Sequence, residues 1–212
     1  MVEAHRWAWK PGRVRLVLLA ESHVFTTPAE LASDYAGHPW LHGLPPVPTC
    51  LVRLIYCLGY GESTLCRVAK QGTPQFWGIF GGLAGTTPRH LRGAPRRQRF
   101  DEKVLTLRRL KHLGAWLLDS SLHGIYAPRG QRMDGTITAK LQKLWLDSYG
   151  GLLLEELRPE RVVAIGKGVF SALQGCLKID DWVYQPQGVR SVRQAAYNRD
   201  KLSSLKEWLC RP

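Results

Sequence analysis

The sequence predicts a single α/β domain, residues 1–212, built around a four-stranded parallel sheet. Four short apolar runs each end at small or polar residues, stretches with helical spacing of apolar residues lie between them, and no repeat or linker interrupts the chain. Alternation of strands and helices is typical of a parallel sheet covered by helices. A chain of 212 residues is long enough for one substantial core.

The strands are predicted at residues 13–20, 112–118, 161–165 and 182–184. The first run, RVRLVLLA, follows a Pro-Gly turn and stops at Glu21, which is typical of a buried parallel strand. Parallel strands have their carboxyl ends at one edge of the sheet. The polar residues that follow the four runs should therefore meet in one crevice.

Helices are predicted at residues 136–157, 169–173 and 200–209, where apolar residues recur near the helical period. Residues 39–48 contain four prolines and are predicted as an ordered loop. Residues 89–99 carry His90 and five arginines and are predicted as an exposed basic loop.

The charge balance, 30 Lys and Arg against 17 Asp and Glu, gives a formal net charge of +13 and favours a polyanionic partner. No apolar run is long enough to span a membrane, and the amino terminus lacks the pattern of a signal peptide. The five cysteines show no paired spacing, so we expect reduced thiols and neither a zinc site nor an iron–sulfur cluster. We expect a cytoplasmic chain with no membrane partner.

Two carboxylates, Glu21 and Asp119, follow the first and second strands and should face the crevice. Carboxylates beside a glycosidic bond can activate water or stabilise an oxocarbenium-like sugar. A base that leaves as an anion also needs hydrogen-bond donors on the opposite side of the bond.

Four segments in this order resemble motifs of the uracil-DNA glycosylase superfamily. The first strand with the following AESH (20–23) resembles the family's first motif, and TPQFWGIF (73–80) resembles a segment of its mismatch-specific and hypoxanthine-type branches. Asp119 stands where the second strand of the family delivers Asn or Asp to the base edge. QPQGVRS (185–191) resembles the His-Pro-Ser motif, and the segment after it resembles the loop that wedges into DNA, here around residues 194–197.

The resemblance implies a three-layer sandwich and a role for each matching residue. Glu21 would position or activate water, Asp119 would read the polar edge of the flipped base, and Gln185 would hold the leaving base or a phosphate. Six residues are implied at the base itself: Ser22, His23, Tyr35, Phe76, Trp77 and Ser120. Six more are implied at the DNA backbone: Lys167, Gln187, Arg190, Ser191, Arg193 and Arg199. Arg129 and Arg132 are expected to add to this basic surface.

The implied activity is that of a monofunctional DNA glycosylase, which flips a base out of DNA and hydrolyses its N-glycosidic bond. We expect a monomer that acts on DNA in the nucleoid and needs no metal or other cofactor. Uracil is the expected base. A modified cytosine, whose amine would suit Asp119 as an acceptor, and hypoxanthine stay open. A glycosylase-like protein that binds uracil-containing or abasic DNA without turnover also stays open, whereas a Rossmann-type nucleotide-binding protein is disfavoured because no GxGxxG follows the first strand.

Overall fold

A computed structural model describes residues 1–67, 74–86, 93–125 and 133–211. Its centre is a four-stranded, all-parallel sheet in the order β2-β1-β3-β4. The strands are β1 (Leu16–Ala20), β2 (Ala115–Asp119), β3 (Arg161–Ile165) and β4 (Asp181–Val183). The predicted α/β class with a four-stranded parallel sheet is confirmed.

Helices cover both faces of this sheet, as the predicted three-layer sandwich requires. They are α1 (Val2–Ala8), α2 (Pro28–Leu31), α3 (Pro74–Ala84), α4 (Arg96–Leu113), α5 (Gly135–Trp145), α6 (Gly151–Leu157), α7 (Lys167–Leu173) and α8 (Val192–Leu209). Short 3₁₀ turns lie at Pro39–Leu41 and Pro186–Gly188, and one π turn at Leu146–Gly150 joins α5 to α6.

The strand order explains how the helices divide into two layers. From β1 the chain moves to one side of the sheet to form β2, and it then crosses back over β1 to form β3 and β4 on the other side. Crossovers between parallel strands are almost always right-handed, so a reversal of direction places the next helices on the opposite face. Accordingly α3 packs against α4 and α8, whereas α5 packs against α7.

Every residue of β1 and β2 is buried, which accounts for their continuous apolar sequences. The second strand starts later than predicted because residues 112 and 113 belong to α4. That helix ends at Gly114, whose φ of +80° is a left-handed conformation that favours glycine. A Cβ at this position would lie 2.9 Å from the Arg13 carbonyl oxygen.

Several other predicted bounds differ from the structure. The predicted helix over 136–157 is divided by the π turn, and the predicted final helix is the second half of α8. The wedge candidate at 194–197 is therefore helical and partly buried, so its prediction as a loop is wrong. In the predicted basic loop, Arg96, Arg97 and Arg99 lie in the first turn of α4, while residues 89–92 lie outside the described residues, as do Arg129 and Arg132.

All five cysteines are free thiols. Among the helices that the structure describes, none has the length and apolar character to cross a bilayer.

Candidate active site

A cavity lies at the carboxyl edge of the sheet, where β1 and β3 stand side by side. The chain leaves β1 toward one side of the sheet and leaves β3 toward the other, so the two crossovers diverge at this point. In open parallel sheets such a switch point is where ligands bind. The cavity has a volume of about 240 Å³. We call it the β1–β3 cavity, and it is lined by Glu21, Ile165, Gly166, Lys167, Gly168, Val169, Tyr184, Gln185 and Gly188.

Glu21 brings a carboxylate to this cavity directly from the end of β1. The residue is only 6% exposed. Its backbone is held in place by Ser120, whose hydroxyl lies 2.8 Å from the Ala20 carbonyl oxygen and 3.3 Å from that of Glu21. The site thus receives its acidic group from a rigid strand end.

Gln185 lines the same cavity and is the second residue after the end of β4. It faces Gly166, where a Cβ would lie 3.7 Å from Gln185 Cβ and 3.9 Å from Oε1. Gly166 has a φ of +108°, and its N–H donates to the Val183 carbonyl at 2.7 Å. The glycine therefore lets the chain turn sharply from β3 into α7 while it stays close to the end of β4.

Tyr184 adds an aromatic ring to the cavity wall, and the sequence interpretation missed it because it treated this residue as the end of a strand. Its backbone N–H donates to Asn198 Oδ1 at 2.8 Å, and its carbonyl accepts from Asn198 Nδ2 at 3.0 Å. Its ring meets Trp182 edge-on at 4.8 Å and Tyr197 at 5.5 Å between centroids. Its position directly before Gln185 in the sequence is a signal that could have identified Tyr184 as a residue of this site.

Lys167 supplies a cation at the rim. It is the exposed first residue of α7, and it borders the cavity together with Gly166 and Gly168. The β1–β3 cavity therefore combines a carboxylate, an amide, an aromatic ring and an ammonium group, brought together from three strand ends.

Asp119 does not line this cavity, which corrects the expectation that it meets Glu21 and Gln185 around one base. It is buried beneath the amino-terminal helix, where Arg6 Nη2 donates to its Oδ2 at 2.5 Å. Arg6 also pairs with Glu3, and both members of the Arg6–Asp119 pair have side chains only 3% exposed. The two residues are 113 positions apart, and no sequence pattern predicts that they form a pair.

This burial fixes the charge of the pair. Burial acts to raise the pKa of Asp119, but the charge of Arg6 and the contact with His23 outweigh it and hold the pKa below its ordinary value. Burial likewise acts to lower the pKa of Arg6, and the charges of Asp119 and Glu3 raise it above its ordinary value. Asp119 is therefore a charged member of a buried ion pair, and its carboxylate is not accessible to a nucleobase.

The other residues expected at the base are mostly structural. Ser120 is fully buried and accepts from Gln142 Nε2 at 2.9 Å, and Ser22 accepts from the Ile125 N–H at 3.2 Å. His23 places Nδ1 3.5 Å from Asp119 Oδ2 and lines a different cavity. These side chains hold the loops after β1 and β2 together.

None of the three expected stacking aromatics lines the β1–β3 cavity. Tyr35 is buried, and its hydroxyl lies 3.2 Å from the Pro48 carbonyl and 3.4 Å from Cys57 Sγ. Trp77 is buried in α3, where its ring contacts Phe80 and the ammonium of Lys103. Phe76 is partly buried against the core. Their proposed stacking role is not supported, because none of the three reaches this cavity.

The residues expected at the DNA backbone lie near the start of α8. Arg190, Arg193 and Arg199 are exposed, and Ser191 caps the helix by accepting from the Gln194 N–H at 3.2 Å. The backbone of Gln187 lies in the Pro186–Gly188 turn, and its side chain lies outside the described part. Val192, between the first two arginines, is 83% exposed.

In the described parts of the chain, no group of three or more His, Cys, Asp or Glu side chains could hold a metal ion. Comparison with family models, with curated proteins and with solved structures finds no match to this chain.

Proposed function

We propose that this chain is a monofunctional DNA glycosylase, a divergent relative of the uracil-DNA glycosylase superfamily. One observation carries the proposal: Glu21 and Gln185, which the sequence motifs single out at distant positions, line one cavity at the switch point of the sheet. Tyr184 and Lys167 border the same cavity, and they bring an aromatic residue and a positive charge to the place proposed for a flipped nucleotide.

In the proposed reaction the flipped base lies against Tyr184 and the sugar faces Glu21. As the bond between C1′ and the base nitrogen breaks, its electron pair leaves with the base, and the Gln185 amide N–H stabilises that charge. The oxygen of a water molecule bonds to C1′, and Glu21 accepts a proton from that water. The products are an abasic sugar with a hydroxyl at C1′ and the base anion, which becomes the free base when the proton held by Glu21 passes to it through solvent.

Base recognition falls on Gln185 in this proposal, because Asp119 is engaged by Arg6 away from the cavity. A Gln amide offers one acceptor and two donors, so it can pair with the edge of uracil, hypoxanthine or a modified cytosine. Uracil stays the first expectation from the sequence motifs. The argument for an amine-bearing base, which depended on Asp119 as the acceptor, loses its support.

The start of α8 is the proposed DNA-facing surface. Val192 projects from the helix at 83% exposure between Arg190 and Arg193, and Gly188 of the cavity wall is four residues away. An apolar side chain flanked by basic ones is how proteins wedge between base steps while they hold the phosphates. The placement would let this segment support a flipped nucleotide beside the cavity.

The test is base release from oligonucleotides that carry uracil, hypoxanthine or a modified cytosine, in single- and double-stranded form, with alkaline cleavage of the abasic product. We expect release from at least one substrate. We expect Glu21→Gln to slow it by roughly 10²- to 10⁴-fold with little change in DNA affinity.

Glu155→Gln, a change at an exposed carboxylate in α6, serves as the matched control and should leave release unchanged. If the wild-type chain binds uracil-containing or abasic DNA and releases no base from any substrate, the enzyme proposal is wrong and a binding protein is the better description.

A further inference from the structure

A second and larger cavity opens on the other side of β1, at the same edge of the sheet. It has a volume of about 590 Å³ and lies between the loop after β1, the loop after β2 and helix α5. We call it the β1–β2 cavity, and its lining includes His23, Phe25, Leu122, His123, Met133 and Ile137.

The two cavities are neighbours across the end of β1. Glu21 lines the first and His23 lines the second, and two Cα steps span at most about 8 Å. Nucleotides stacked along one DNA strand rise by about 3.4 Å each. A strand that places one nucleotide in the β1–β3 cavity therefore has other nucleotides within reach of the β1–β2 cavity.

The walls of the β1–β2 cavity are apolar although water reaches them. Phe25 is 40% exposed, Leu122 49%, Met133 44% and Ile137 50%. Exposed apolar clusters of this kind mark binding surfaces. An accessible aromatic ring together with the imidazoles of His23 and His123 is suited to a planar ring, because any nucleobase can stack on such faces.

The wall is also rigid where it meets the sheet. His23 is backed by Asp119, which Arg6 holds in place, and Phe25 packs closely on Gly124, where a Cβ would lie 2.9 Å from the Phe25 Cα. The cavity is thus built into the ends of β1 and β2.

A positive charge stands beside this apolar wall. Lys140 is exposed on α5, and residues three and four apart share a helix face, so Lys140 lies on the side of Ile137 and Leu144. An ammonium group next to a base-sized apolar wall is the arrangement that single-stranded DNA requires, with one group for the phosphate and the other for the base.

We propose that the β1–β2 cavity binds a second, unpaired nucleobase of the strand whose target nucleotide occupies the β1–β3 cavity. This inference rests on the proposed function and deepens it, because a second unpaired base makes single-stranded or locally melted DNA the substrate class. Paired bases in an intact duplex are stacked on both sides and cannot enter.

The test uses the full chain and oligonucleotides that carry the fluorescent base 2-aminopurine at successive positions on either side of a uracil. We expect the fluorescence to change at one position near the uracil in single-stranded DNA. We expect Phe25→Ala to abolish that change and to weaken single-strand affinity about 5- to 100-fold, with no change in duplex affinity. Met133→Ala should act in the same direction.

Leu105→Ala is the matched control, because Leu105 on α4 is also 40% exposed and lies outside both cavities. Lys140→Gln should reduce the slope of log affinity against log salt on single strands by about 0.7. Urea midpoints of all variants identify any loss of affinity that comes from unfolding.

Equal losses on single and double strands in Phe25→Ala, or no fluorescence change at any position, would overturn the second-base site. If base release is found and does not depend on Phe25, the glycosylase proposal stands without this inference. If no base is released but the Phe25-dependent fluorescence change occurs, the enzyme proposal fails and the base-binding cavity stands.

Discussion

Asp119 and Arg6 form an ion pair that is almost completely buried. Removing one partner of such a pair is destabilising, because the charge of the other partner stays buried without compensation. We expect Asp119→Asn to lower the free energy of unfolding by about 3–5 kcal/mol, because Arg6 would keep its charge without a full partner. Adding Arg6→Met should recover part of that loss. Urea unfolding of the single and double variants measures both effects.

The exposed pair of Arg97 and Asp101, with both side chains 52% accessible, provides the control. Asp101→Asn should cost at most about 1 kcal/mol, since water screens exposed pairs. A similar cost for the two Asp→Asn variants would contradict the buried-pair interpretation.

His5 gives the chain a stability that depends on pH. It is buried and donates to the Cys50 carbonyl at 2.9 Å, and burial lowers its pKa from 6.5 to about 4. Because folding favours the neutral ring, this contribution is complete above pH 6.5 and is lost as the pH falls toward 4. The difference between the two pKa values corresponds to about 3 kcal/mol.

We expect the free energy of unfolding to fall through this pH range in the wild-type chain, and we expect His5→Gln to flatten the fall. His42→Gln, at an exposed position, should leave it unchanged. A wild-type curve that is flat between pH 6.5 and 4 would show that His5 is not held neutral.

Gly166 permits a backbone conformation that other residues adopt only with strain. With φ at +108° and ψ at 133°, Gly166→Ala should cost about 1–3 kcal/mol through backbone strain alone, because the nearest atom to the added methyl group, Gln185 Cβ at 3.7 Å, lies at an ordinary contact distance. Gly168→Ala is the neighbouring control, because nothing lies within 4 Å of its added Cβ. Thermal unfolding should separate the two variants, and equal melting temperatures would remove the strain argument.

At the scale of elements, α8 is the part that holds the edge strand in place. Asn198 satisfies both backbone groups of Tyr184, the Tyr197 hydroxyl donates to the Trp182 carbonyl at 3.2 Å, and Lys201 pairs with Asp181 at 2.6 Å. Three of the four residues from Asp181 to Tyr184 are thus fixed by one helix. Strand β4 contains only three residues and lies at the edge of the sheet. These side chains therefore bond backbone groups that would otherwise need a further strand as their partner.

We expect Asn198→Ala to reduce the rate of base release more than DNA affinity, since Tyr184 and Gln185 would lose their backbone anchor while the arginines of α8 remain. Two lost hydrogen bonds correspond to about 1–3 kcal/mol of stability, and hydrogen exchange at the Tyr184 amide should accelerate. Lys201→Ala is the control for the helix, with a smaller effect on exchange at Tyr184. If exchange at this amide is unchanged in Asn198→Ala, α8 does not anchor the cavity wall.

For the whole molecule, the formal charge of +13 favours a polyanionic partner, and if that partner is DNA, as proposed above, binding should weaken steeply with salt. If Arg190 and Arg193 each contact a phosphate, changing both to Gln should reduce the slope of log affinity against log salt by about 1.4 on single strands. Filter binding between 50 and 200 mM salt, about the range over which such effects are resolved, measures the slope. An unchanged slope would place the DNA on another surface.

The sequence was most informative where local pattern and topology agree. Buried parallel strands produce continuous apolar runs, so Glu21 and Gln185 could be assigned to strand ends and then to one crevice. Helix α4 was missed although Phe100, Val104, Leu107 and Leu110 recur at helical spacing, because its many arginines were interpreted as a loop.

What the sequence could not reveal is which side chains find partners from distant segments. Asp119 forms an ion pair with Arg6 of α1, and Tyr35 and Trp77 are buried against other parts of the chain. The residues that precede and follow these three in the sequence give no indication of such distant partners. The aromatic wall of the β1–β3 cavity therefore came from Tyr184 and not from the three residues expected.

The central place of β1 has a consequence for how the chain is made. Residues 21–160 separate this strand from its partner on one side, Arg161–Ile165, so that partner is translated much later than β1. At typical translation rates the delay is on the order of 10 s, during which an apolar strand lacks a neighbour. Nascent chains stalled before residue 161 should therefore be strong clients of chaperones, and those stalled after α8 has emerged should not.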